Sequence, residues 1–211
     1  MPKEIDAIYN PTEQWKPIEE GEYPAHVTSL STREVNTKAG PAIVVNMEYK
    51  VAPEVSECKQ ELYEMDGYDY VYKDGNKVHI RDKDGMYPVY GDCSHLKDKK
   101  FRDNGFFVFL DSSSGSKNSR YFELLENLNI ELATDKVDGK EVKKLVLIEE
   151  DDVVGLPVQI RIKRETYVTS ATKHLPPSEQ EKRSAFKVST IKTWEGGKKV
   201  QVEELEQDVP F

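Results

Sequence analysis

The alternation between Gly40 and Pro53 constrains the fold more than any other stretch of the chain. In Gly-Pro-Ala-Ile-Val-Val-Asn-Met-Glu-Tyr-Lys-Val-Ala-Pro, the residues Ile43, Val45, Met47, Tyr49 and Val51 take one parity, and Val44, Asn46, Glu48 and Lys50 take the other. A period of two puts the two sets on opposite faces of a half-buried strand. The flanking prolines sit at its ends, where a strand can do without a backbone donor. Such a strand requires a sheet.

Its expected partners follow in order. Glu22 to Leu30, entered through Gly21, reads as a first strand with Tyr23, Ala25 and Val27 on one face. Ser31 to Gly40 carries Arg33 and Lys38 and reads as a polar hairpin connection with a flexible tip. Lys99 to Leu110 is a third strand, basic at Lys99, Lys100 and Arg102 and aromatic from Phe106 on. Ser119 caps a helix that runs through Asn127, with Tyr121, Phe122, Leu124, Leu125 and Leu128 at helical spacing. Leu156 to Thr169 is the fourth strand and Ala185 to Trp194 the fifth, joined by a long polar loop that holds Lys173. Between the second and third strands, residues 54–99 turn to alternating tyrosines with Asp74-Gly75 and Asp84-Gly85 turns, the signature of an inserted hairpin.

Three strands, a helix and two strands is the order of an OB-fold, a mainly β, five-stranded Greek-key barrel. The expected organisation is an N-terminal arm over 1–20, a barrel over 21–195 and a disordered acidic tail over 196–211. A length of 211 residues suits one such domain with tails. The formal charge of −9 argues against bulk attraction to duplex DNA but leaves room for local basic grooves. The start lacks the charged and apolar regions of a leader, and no apolar run has membrane-spanning length, so a soluble, cytoplasmic protein is expected.

Catalytic chemistry finds little support. There is no Gly-Lys-Ser/Thr phosphate loop, and Glu149 to Asp152 reads as a solvated turn before a strand. Cys58, His79, Cys93 and His95 lack the paired spacing of a zinc site, so neither a metal nor another cofactor is expected.

Binding chemistry is better represented. If Val158, Ile160 and Ile162 are buried, Arg161, Lys163 and Tyr167 emerge on the outside of the fourth strand. Lys100 and Arg102 share a face of the third, and consecutive Phe106 and Phe107 cannot both point inward. Exposed rings beside cations are what a single strand of nucleic acid needs, flat platforms for bases and charge for phosphates. With Arg33, Lys38, Lys50, Lys99 and Lys173 these residues make the expected groove; the alternative is that the outward rings pack beneath the insertion or the arm.

Two resemblances point the same way. The end of the chain, Glu203-Glu204-Leu205-Glu206-Gln207-Asp208-Val209-Pro210-Phe211, resembles the acidic tip of bacterial single-stranded DNA-binding proteins, which ends in Asp-Ile-Pro-Phe. The resemblance implies that Glu203, Glu204, Glu206, Asp208, Val209, Pro210 and Phe211 form a docking peptide for replication, recombination and repair proteins. Gly21-Glu22-Tyr23, Lys99-Lys100-Phe101-Arg102-Asp103-Asn104, and Leu156-Pro157-Val158 with Tyr167 are similar to segments of phage OB-fold proteins that bind single-stranded DNA. The insertion departs from that pattern. The competing expectation is a β-rich interaction or structural module whose tyrosine hairpin binds another protein.

Overall fold

The computed structural model describes residues 18–66, 69–110 and 117–201. Residues 1–17 of the expected N-terminal arm and the acidic tip, like Tyr68 and residues 111–116 after the third strand, lie outside the described residues. The described chain is mainly β with two helices, and none of these helices is long and apolar enough to cross a membrane.

Strand β1 spans Gly21–Thr37 and β2 spans Gly40–Val51, paired antiparallel from Ala25↔Val51 to Thr37↔Gly40. The ladder therefore runs through the segment expected to be a polar connection, leaving only Lys38 and Ala39 between the strands. Backbone pairing there needs no apolar side chains, which is why hydropathy alone does not reveal it. Val45, Met47, Tyr49 and Val51 are buried as the alternation requires, but Ala42 and Val44, of the opposite parity, are buried too, while Ile43 is only half-buried. Both faces of this end of β2 are therefore covered.

Residues Lys59–Gly91 belong to a separate compact unit, narrower than the 54–99 insertion expected from the sequence. It holds β3 (Lys59–Glu61), β4 (Met65–Asp66), β5 (Asp69–Tyr70), β6 (Tyr72–Lys73) and β7 (Asn76–Lys77), and β8 (Tyr90–Asp92) pairs back with β3. Asp74 and Gly75 take φ values of 51° and 80° in the turn between β6 and β7, as an Asp-Gly hairpin requires. Glu61 gathers the unit's polar side chains, accepting from the Tyr63 hydroxyl at 3.1 Å and the Tyr90 hydroxyl at 3.3 Å and lying 3.3 Å from His79 Nδ1. Lys77 Nζ sits 3.8 Å from the Tyr70 ring centroid.

The third strand of the main sheet is broken in two, β9 (Lys100–Arg102) and β10 (Phe106–Phe109), both antiparallel to β2. Helix α1 (Ser119–Asn127) buries Tyr121, Leu124 and Leu125, with Asn118 rather than Ser119 in the capping position. The hairpin β11 (Thr134–Val137) and β12 (Lys140–Lys143) turns at Asp138 and Gly139. The acids at 149–152, expected as a solvated turn with one helix between the third and fourth strands, instead form a second, one-turn helix α2 (Glu150–Val153), because a capping box between Glu149 and Asp152 closes the turn.

Strand β13 (Pro157–Val168) pairs with β1 through Gly21↔Ile162 and then runs on beyond β1 as a ribbon with β14 (Lys182–Thr193). The sheet order is β10-β2-β1-β13-β14, with β9 also on β2. A parallel bridge, Asp103↔Val188, brings the break in the third strand against β14. Val158, Ile160, Ile162, Val188 and Ile191 are buried in the core, as are Tyr23, Val27 and Tyr49. Packed chain continues past Gly196-Gly197, where the tail was expected to begin: Lys198 O lies 3.1 Å from His26 Nε2, and Val200 N donates to Gly155 O at 3.0 Å.

Candidate nucleic-acid interface

Asp103 organises the break between β9 and β10. Its side chain is buried and accepts from the Tyr49 hydroxyl at 2.8 Å, Met47 N at 3.2 Å, Gly105 N at 2.9 Å and Asn46 Nδ2 at 3.3 Å. Burial raises the carboxyl above its ordinary pKa, and the four hydrogen bonds only partly offset that. Tyr49, buried beside it, is held well above the usual phenol range for the same first cause. Pulling Asp103 inward lets the chain change faces. Gly105, at φ +86°, then lies over the outer side of β2, so that a Cβ there would meet Val44 Cγ1 at 2.5 Å and Asn46 Nδ2 at 2.8 Å. Gly105→Ala is expected to cost about 1–3 kcal/mol from the strained backbone alone, read as a lowered urea midpoint.

After this crossing, Phe106 pairs with Val45 and Phe107 with Val44, so the consecutive rings take opposite faces as expected. Phe107 is 43% exposed. Phe109, two residues on, stacks on it with centroids 6.3 Å apart and planes 22° from parallel. Arg33 of β1 pairs with Val44 and is exposed, so Arg33, Val44 and Phe107 form one row across three strands.

A cavity of about 460 Å³ opens over these rings, lined by Phe106, Phe107 and Phe109 together with Lys38, Lys117 and Arg120. Lys117 Nζ donates to Ala39 O at 3.0 Å and lies 5.5 Å from the Phe109 centroid, tying the β1–β2 turn to the residues before α1. Asn118 uses its side-chain amide on both backbone groups of Phe109, accepting from its N–H at 2.8 Å and donating to its carbonyl at 3.0 Å. Arg120 stands with its guanidinium carbon 6.0 Å from the Phe106 centroid.

The structure thus gathers Lys38, Phe106 and Phe107 around one cavity, with Arg33 on the neighbouring row. Phe109, Lys117 and Arg120 were not expected there. Phe109 was legible as the next residue of Phe107's parity, whereas Lys117 and Arg120 arrive only through the packing of α1. The other expected residues are dispersed. Lys50 is a correction: it is buried, with Nζ 3.6 Å from Asp98, because the outer side of β2 is covered at this end as well. Arg102 is exposed on the outer side of β9, where its Nε donates to Glu48 at 2.6 Å. Lys100 shares that side, and Lys99 lies exposed just before β9.

Arg161, Lys163 and Tyr167 are all exposed, as the parity of β13 requires. Arg161 lies beside Glu22 where β13 is still flanked by β1, whereas Lys163 and Tyr167 are on the ribbon, opposite Lys187 and Arg183. Between them Glu165 accepts two bonds from Asn104 Nδ2, at 3.0 and 2.9 Å, which ties that face of the ribbon to the break in the third strand. Lys173 is exposed in the loop at the ribbon's far end. The segment 161–192 holds eight Lys or Arg against three Glu in a chain of net charge −9, so positive charge is concentrated here.

Cys58 and Cys93 are free thiols, and among the described residues no group of three His, Cys, Asp or Glu is placed to hold a metal ion. Compared with protein-family models, with curated proteins and with solved structures, the chain has no match in any of the three.

Proposed function

We propose that this chain binds single-stranded DNA without sequence preference, protects it during replication, recombination and repair, and recruits partner proteins through its C-terminal tip, as a phage-type protein acting in the host cytoplasm. The observation that carries the reading is the cavity in which Phe106, Phe107 and Phe109 meet Lys38, Lys117 and Arg120. Stacking platforms beside phosphate-binding cations are the minimum equipment for a single strand, and every base offers a face to stack. Stacking on these rings reads no base edge, which supports tolerance of sequence.

The connectivity supports an OB-type barrel beneath this site. The third strand pairs with the second, the first lies between the second and fourth, and the fifth meets the third through the parallel bridge. The reaction is binding, not catalysis.

Fluorescence titration with a labelled oligonucleotide tests the proposal; tight, salt-sensitive binding is expected, and its absence at low salt would leave the interaction-module reading. That second reading draws on the exposed Tyr72, Tyr87 and Tyr90 of the inserted unit. The role of the tip is tested separately. Deleting Glu203 to Phe211 takes the formal charge from −9 to −5 and is expected to leave strand binding equal or tighter, whereas Phe211→Ala is expected to abolish partner capture alone.

A further inference from the structure

The open edge of β10, not the outer side of β9, sets the direction of the groove. Asn118 takes both backbone groups of Phe109, so these point away from β2, and by the alternation of an antiparallel ladder those of Phe107 point the same way. Across from that edge stands β14, whose register with β13 shifts so that Ser189 is an extra residue between Thr190, opposite Arg161, and Val188, opposite Ile162. Two smaller cavities, of about 150 and 180 Å³, fill the cleft between β10, α1 and β14. Both are lined by Phe106 and Arg120, which also line the larger cavity over Phe107 and Phe109. The three spaces adjoin one another around these two side chains.

Resting on the proposed strand binding, we infer that the nucleic acid leaves the Phe107–Phe109 platform over the edge of β10, passes Phe106 and Arg120, and enters the cleft beside Ser189 and Thr190 toward Lys187 and Lys163. The straight path along β9 is less favourable, because the Arg102 guanidinium there is paired with Glu48. Charge also sets the strand's orientation in the cleft. Glu123 and Glu165 line its walls, so phosphates are repelled from the interior and stay on the solvent side within reach of Arg120, while bases turn inward past Phe106.

The test compares Arg120→Ala, Arg120→Lys and Arg102→Ala with the full-length parent in titrations of an oligothymidylate at several salt concentrations, and adds photo-crosslinking from a benzophenone amino acid placed at Thr190 or at Glu48. Arg120→Ala is expected to weaken binding severalfold and lower the slope of log affinity against log salt by about 0.7, one phosphate contact. Arg120→Lys should restore the slope, which a merely structural role would not do, and Arg102→Ala should leave it unchanged. Crosslinks are expected from Thr190 and not from Glu48. A parent that binds while only Arg102→Ala alters the slope, or crosslinks only from Glu48, overturns the path and leaves strand binding standing; a parent that fails to bind overturns both.

Discussion

Phe107→Ala is expected to weaken oligonucleotide binding about 5- to 150-fold, the loss of one stacking platform. The ring is 43% exposed and stacks on Phe109, so a loss of about 1 kcal/mol and a modest drop in the thermal midpoint should accompany the substitution, too small to unfold the protein. The salt slope should stay that of the parent, because no phosphate contact is removed. Phe109→Ala is expected to combine the two kinds of loss, since Phe109 is packed between Phe107 and Lys117 and its backbone is held by Asn118. The two changes touch one stack, so their effects should not add. Unchanged titration curves for Phe107→Ala in a folded protein would remove the platform from the proposed site.

Asp103→Ala should have the largest effect on stability. It strands the Tyr49 hydroxyl and the Met47 amide in the core and releases the Gly105 turn. Each orphaned buried donor costs about 1–3 kcal/mol, and the variant escapes the burial cost of the carboxylate, so a net loss of about 2–4 kcal/mol is expected in urea unfolding. The pH dependence has a definite sign. The folded carboxyl titrates above its ordinary value of 3.8, so between 3.8 and the raised value the folded chain holds more protons than the unfolded one. Stability from this group is therefore greatest below 3.8 and falls as pH rises through the folded value. The parent-minus-variant difference should shrink across that window and be flat above it; a difference that grows with pH would mean the hydrogen bonds outweigh burial.

These two residues mark how far the sequence could be read. The parity of β13 was legible, since Val158, Ile160 and Ile162 leave Arg161, Lys163 and Tyr167 no inward position. The bounds of α1 were legible from the spacing of Tyr121, Leu124 and Leu125. Such patterns are local, set by the periods of the backbone itself. The length of the β1–β2 ladder was not legible, because Ser31 to Thr37 is held by backbone pairing that polar side chains do not announce.

What the sequence determined by itself is that the chain is mainly β, that a helix over Ser119–Asn127 follows its third strand, and that cations and rings share the outward positions of its third and fourth strands. What only tertiary structure decided is which of them meet. Lys50 has the parity of an exposed residue, yet it is buried beside Asp98 because neighbouring chain covers that end of β2. Lys117 and Arg120 look like an ordinary loop residue and an ordinary helix residue, yet they reach the aromatic cavity because Asn118 fastens the start of α1 to Phe109 and Lys117 bonds to Ala39, 78 residues earlier. Periodicity fixes the face on which a side chain lies; long-range packing fixes what stands opposite, and a binding groove depends on both.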